Sequence, residues 1–165
     1  MNNFQLENFE ELADVFARAP KTVAKFLGSS MEQAVSLLHY RVSDKTPVGV
    51  GNAGHLASSI QTDVTTLPDS VVGAVGTNKP YGEAVELGTK PHMPPIQPLF
   101  DWCQVVLGLD EEKAEQVAFL IAMKIKHKGT EGKYMFRDSF AESEQQIEAM
   151  FNQARAKILE SMSND

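Results

Sequence analysis

The sequence predicts an α+β fold: N-terminal helices, a small antiparallel sheet built on a hairpin, then C-terminal helices packed on it. Three observations predict it. Apolar residues recur at steps of three and four from Val23 to Val42 and again from Phe136 to Met162, which is the helical period. From Leu56 to Val75 the period falls to two, that of a half-buried strand. Helices and strands are segregated along the chain instead of alternating, as they would in a wound α/β sheet.

Asn8, with Glu11 three residues on, reads as a capping box, in which Asn accepts a free amide and Glu reaches back. Phe9, Leu12 and Phe16 continue it as a short helix that Pro20 interrupts. Proline suits the first position of a helix, where its missing N–H costs nothing, so a second helix starts there. Val23, Leu27, Met31, Ala34, Leu38 and Val42 are its apolar face. It stops before Thr46–Pro47, because the residue preceding proline disfavours the helical region.

A glycine-rich loop follows, from Pro47 to Gly54. Leu56, Ser58, Ile60, Thr62 and Val64 alternate as a strand, Pro68–Asp69–Ser70 turns, and Val71 to Val75 returns as a second strand. Tyr81 to Leu87 fits a strand and a helical turn equally. The prolines of residues 88–98 are expected to keep that run irregular. Pro98 then leads into an apolar helix carrying Leu99, Trp102 and Val106 and closed by Gly108. Asp110 caps the next helix, with Glu111 and Glu112 in its first turn, Lys124, Lys126 and Lys128 in or near its last, and Gly129 as the stop. Phe136, Phe140, Ile147, Phe151, Ala154, Ile158 and Met162 mark a long final helix. Gly88–Thr89 and Gly129–Thr130 echo each other, each ahead of an aromatic-bearing helix. Residues 1–165 are read as a single domain, with 109–165 as a C-terminal helical extension.

Composition narrows the function. Hydrophobic residues at 42% and charged residues at 22% are the balance of a globular chain. A net charge of -7 argues against wrapping duplex phosphates, which takes a Lys/Arg surplus on one face. Cys103 is the lone cysteine, so an intrachain disulfide and a thiolate cluster are both excluded, as suits a reducing compartment. The start MNNFQLENFEEL lacks a secretory signal, and the apolar run Val117 to Met123 is far short of the ~20 residues of a spanning helix. A soluble protein with no membrane partner is expected.

Candidate chemistry is sparse. Gly49-Val50-Gly51-Asn52-Ala53-Gly54 spells G-x-G-x-x-G, but a polar helix end leads in and a strand leads out, so no βαβ unit surrounds it. A turned loop is the better reading. His39, His55, His92 and His127 fall one to an element, without the close spacing of metal ligands. Ser58–Ser59 near His55 lacks a nucleophile elbow. Cys103 reads as a small apolar residue packed under the proline-rich segment. Lys124, Lys126, Lys128, Lys133 and Arg137 are the one basic concentration: a helix end with a solvated loop, or a patch meeting an acidic partner or passing DNA. No cofactor, metal or catalytic residue is expected.

Three segments in order carry a resemblance. They are Thr46-Pro47 through Gly54-His55-Leu56-Ala57-Ser58-Ser59-Ile60; Tyr81-Gly82-Glu83-Ala84-Val85-Glu86-Leu87-Gly88-Thr89; and Pro91 to Phe100, ending Pro98-Leu99-Phe100. Over residues 20–105 the chain resembles the tail-completion or neck proteins of long-tailed bacteriophages, also described as head–tail joining, minor tail or virion morphogenesis proteins. It departs from their pattern in two places. A longer glycine-rich loop replaces the usual acidic or polar residue before the first Gly, and 109–165 adds a pair of helices.

The resemblance implies a structural subunit of the virion, assembled in the bacterial cytoplasm from a free phage or a prophage. Such a subunit forms a ring, hexameric by this resemblance, that joins the head connector to the tail tube and binds proteins of both. DNA at most passes through the lumen, where net negative charge would keep it from sticking. Loops on a rigid frame are where contacts concentrate, and an uncovered hairpin edge can add a strand from a neighbour. The expected subunit-interface residues are Gly51, Gly54, Leu56, Tyr81, Glu86, Gly88, Thr89, Lys128 and Lys133. Within the motif, Tyr81 would anchor by its ring. Glu86 would orient the turn by accepting backbone amides or by pairing with a neighbour's Lys or Arg. Gly88 would supply an unusual backbone angle. A minor tail or baseplate component is the near alternative. A small nucleotide-binding protein or enzyme using Gly49–Gly54 is the rival of another class.

Overall fold

The long apolar stripe does form a helix, α1, and it runs without a break from Phe9 to Lys45. Pro20 lies inside it, so the expected interruption is corrected to one helix. An interior proline removes one ladder bond and costs about 3 kcal/mol, which 37 residues of helix can absorb from the bonds on either side. The other end behaves as the sequence requires. Thr46 turns its hydroxyl back onto the Val42 carbonyl at 2.6 Å, and its amide donates to the Ser43 carbonyl.

The computed structural model describes residues 9–47, 56–67 and 70–163, with side chains from 20 to 162 within those ranges. The Asn8 cap, the side chains of the Phe9–Leu12–Phe16 stripe, the Gly49–Gly54 loop, His55 and the Pro68–Asp69 turn lie outside them. The expected hairpin is present as β1 (Ile60–Thr66) and β2 (Val71–Thr77), paired in a two-stranded sheet. Its first strand starts later than alternation suggested, because Ala57–Ser59 is a single 3-10 turn. Both the amide and the hydroxyl of Ser59 donate to the Leu56 carbonyl, at 3.0 and 2.7 Å, a local bond that competes with the ladder.

The undecided segment resolves as a short helix, α2 (Gly82–Leu87). Beyond it the proline-bearing run is less irregular than expected. Gly88–Thr89 is a strand, β3, and α3 spans Ile96–Leu107. Pro98 therefore sits inside the first turn of α3, where the N–H it lacks would have had no helical partner. α4 spans Glu111–Lys128, β4 is Thr130–Glu131, and α5 spans Met135–Ser163.

By its contacts the chain divides into two compact units, Met1–Leu37, Thr62–Ala74 and Ser143–Asp165 in one, Leu38–Gln61 and Val75–Glu142 in the other. In the first, α1 buries Ala34 and Val35. β2 comes so close that a Cβ on Gly73 would stand 2.5 Å from the Met31 sulfur and 2.6 Å from a Val35 methyl. A larger residue there would force Met31 and Val35 to move, so glycine suits a strand packed that tightly. Ser30 donates to the Met150 carbonyl at 3.5 Å, and Ala154 is buried.

The second unit holds two apolar clusters. Val42, Leu56, Ile60 and Met135 form one, with Val75, Tyr81, Val85 and Phe136 packed around it. Burying a side chain such as Met135 completely stabilises by roughly 1.5–3 kcal/mol. The other joins α3 to α4. Cys103 sits against Ala114 and Ala118, alanines four apart that let the two helices approach closely. So Cys103 is indeed buried apolar packing, and its neighbours are the small residues of α4.

α4 is bounded as its sequence declares. The Asp110 carboxylate accepts the Lys113 ammonium at 2.8 Å and the Lys113 amide at 3.0 Å, and these two bonds, the first the stronger, hold its carboxyl below the usual carboxylate range. A lowered folded-state pKa contributes stability that is present above the unfolded-state value and lost as pH falls through the folded one. Asparagine caps as well but carries no charge. Melting temperatures of wild type and Asp110→Asn are therefore expected to differ at neutral pH and to converge below about pH 4. A gap undiminished in acid would exclude the charge as its source.

The buried face of α5 is rotated from the expected one at its start. Met135, Ser139 and Ser143 are fully buried, whereas Phe140 is 47% exposed. Counting aromatic residues misplaced Phe140 there, because Met135 and two small serines take the fully buried positions. Ala154 is buried farther along, as the stripe predicted.

Candidate functional site

Of the expected interface residues that the structure describes, Glu86, Gly88, Thr89 and the backbone of Lys133 meet at one junction within the second unit, where α2, β3, β4 and the start of α5 come together. α2 ends with free carbonyls, as every helix does. Those of Val85 and Glu86 accept the amides of Lys133 and Tyr134, at 2.8 and 3.0 Å. The Glu86 side chain then serves the helix that follows. Its two carboxylate oxygens accept the amides of Phe136 (2.9 Å) and Arg137 (3.0 Å), the second and third residues of α5. This is an N-cap supplied from another helix, with its negative charge at the positive end of the dipole. Of the two roles expected for Glu86, the structure records the backbone-amide one.

The two echoing segments prove to be partners, Gly88–Thr89 pairing with Thr130–Glu131. Gly88 faces Glu131 and Thr89 faces Thr130 in an antiparallel pair, and the two threonine hydroxyls bond each other at 2.9 Å. The backbones cross so closely that three glycines are needed. Gly88 has φ +80°, and a Cβ there would run into the Thr130 carbonyl and stand 2.7 Å from the Gly132 amide. Gly129, at φ +71°, would drive a Cβ into the Thr89 carbonyl, and Gly132 one into the Glu86 carbonyl. The unusual angle expected of Gly88 is thus present, for a reason the sequence did not reveal.

Tyr134 completes the junction with φ +50°, a conformation uncommon for a bulky residue. The Arg137 guanidinium lies 3.6 Å from its ring centre, a cation–π contact, and also bonds Asp138 at 2.9 Å. Sequence reasoning missed Tyr134, since nothing local marks it. Arg137, grouped earlier with the basic residues, is engaged inside the junction.

Leu56 is 3% exposed and belongs to the core of its unit. Tyr81 precedes α2, half-buried against the same cluster, and its carbonyl accepts the Val85 amide. Lys128 and Lys133 are exposed, at the end of α4 and in the turn before α5. Gly51 and Gly54 lie outside the described residues. The described histidines, His39, His92 and His127, are not brought together. His39 meets the Ile60 carbonyl at 3.1 Å and His92 the Lys90 carbonyl at 2.9 Å, while His127 is exposed near the end of α4. Ser59 also meets the Thr77 hydroxyl at 2.6 Å, a local structural bond. Among the described residues no group of three or more His, Cys, Asp or Glu could hold a metal ion. None of their helices is long and apolar enough to cross a membrane.

The arrangement ties α2 to α5 through backbone and one carboxylate, and so holds a rigid corner. Comparisons with curated proteins and with solved structures each found no match. A family model did match, that described as "Bacteriophage HK97-gp10, putative tail-component", over residues 10–88. The matched stretch holds the first of the three resembling segments and all but Thr89 of the second, and ends before the third. Over residues 10–88, from α1 to the first residue of β3, the chain is similar to that tail-component family.

Proposed function

We propose that this chain is a non-catalytic structural component of a bacteriophage tail, working at the head–tail interface to complete or join the tail. The observation that carries the reading is the match of residues 10–88 to a tail-component family. In this reading the subunit assembles with further copies into a ring, six in number by the resemblance, and binds connector and tail-tube proteins. Gly51 and Gly54, in the glycine-rich stretch from Pro47 to Gly54, and the exposed Lys128 and Lys133 supply contacts to those neighbours. The Glu86–Gly88 corner supports the reading by fixing the end of the matched segment against α5 and β4, as a joint between virion parts requires. The protein is then a virion component, assembled in the host cytoplasm.

The test is genetic and visual. Without the gene, electron microscopy is expected to show filled heads beside separate tails, and antibody on intact virions should label the neck. Label at the distal tip would move the protein to the baseplate. Normal virions lacking the chain altogether would refute a structural role.

A further inference from the structure

We infer that α4 pairs antiparallel with the α4 of a second copy, through a face centred on Phe119. The helix buries Ala114, Ala118 and Ala122. Roughly a third of a turn around the helix from them, a second side carries Glu112, Gln116, Phe119, Met123 and Lys126, successive at steps of three and four, so they share one stripe. Apolar surface is left open there: Phe119 is 50% exposed and its neighbour Leu120 66%.

Charge identifies the occupant. Glu112 lies seven residues before Phe119 and Lys126 seven after it, each roughly 10.5 Å along the axis. The stripe is therefore acidic at one end, apolar in the middle and basic at the other. A second α4 laid antiparallel about Phe119 places its Lys126 over Glu112 and its Glu112 over Lys126. Both residues are exposed, and among the described residues neither makes an ion pair.

The surface relief agrees. A shallow groove of about 330 Å³ is lined by Glu112, Glu115, Gln116 and Phe119, with Ile96 of α3 on its rim. Those four helical positions are i, i+3, i+4 and i+7, the set that forms the hole for a knob in coiled-coil packing. In the register just given, the partner's Met123 stands opposite the groove, and an unbranched thioether fills an irregular gap well. Such a two-fold contact is self-complementary and closes at two copies. It involves residues outside the 10–88 match, so it does not rest on the tail reading, and failure of the virion experiment leaves it standing.

Sedimentation equilibrium of the full chain at low salt tests it. A monomer–dimer equilibrium is expected, and Phe119→Ser should raise its dissociation constant more than about tenfold. Glu112→Lys and Lys126→Glu each set like charges at both symmetric contacts, and each should weaken the dimer about tenfold. The double variant exchanges the charges and should recover wild-type association. All three positions are exposed, so circular dichroism should stay unchanged. A monomer at every concentration, a dimer indifferent to Phe119→Ser, or a double variant no stronger than the singles would overturn the pairing.

Discussion

Replacing Gly88 by alanine is expected to destabilise the protein by about 3 kcal/mol or more, since a φ that disfavours L side chains and a steric clash act together. For a chain of this length that corresponds to a fall of roughly 6–12 °C in melting temperature. The added methyl would meet the Thr130 carbonyl and the Gly132 amide, backbone atoms that cannot rotate aside as a side chain can. β3 and β4 would have to separate, and with them the register of Thr89 on Thr130. Gly108→Ala is the control. Its φ is +64° but a Cβ there meets nothing within 4 Å, so only the conformational cost of about 1–2 kcal/mol applies. Equal losses for the two variants in urea unfolding would show that the close crossing is not the constraint.

Glu86→Ala should cost about 2 kcal/mol, because it leaves two amides at the start of α5 without their charged acceptor. Glu86→Gln keeps one acceptor oxygen and should lose about half of that. The most direct reading is amide hydrogen exchange at Phe136 and Arg137, expected to quicken in Glu86→Ala before exchange in the centre of α5 changes. Unaltered exchange at those two amides would mean that solvent or another group replaces the carboxylate at no cost. Because the bond to Arg137 is on the exposed side, the Phe136 amide should respond more strongly.

Much of this architecture is legible locally. Asp110, the acidic first turn and Gly129 bound α4 within one residue of the observed helix, since capping depends on groups only a few residues apart. The α1 stripe predicts its buried face from Ala34 to Val42, because helix geometry alone brings those side chains together. Pro20 misled, since proline weakens a helix locally while length and packing decide whether the helix continues. The α5 stripe misled at Phe140, because hydrophobic size does not say which face a neighbouring element covers.

The candidate corner was half visible. Glu86 stood out as an acidic residue between Val85 and Leu87, and Gly88 as a residue of special backbone angle. Their partners, Phe136 and Arg137 for one and Thr130 and Gly132 for the other, lie more than forty positions away. No spacing rule reaches across such a distance.

Taken alone, the amino-acid order determined the α1 stripe, the β1–β2 hairpin, both ends of α4 and the presence of α5, and that the chain resembles phage tail proteins, because short-range sterics, hydrogen bonding and periodicity act within a few residues. Tertiary structure alone decided that Gly88–Thr89 pairs with Thr130–Glu131, that Glu86 caps a distant helix, and that Met135 and two serines, not Phe140, occupy the deepest positions at the start of α5. Those outcomes depend on which backbones approach within a few ångströms, and only the folded chain brings them there.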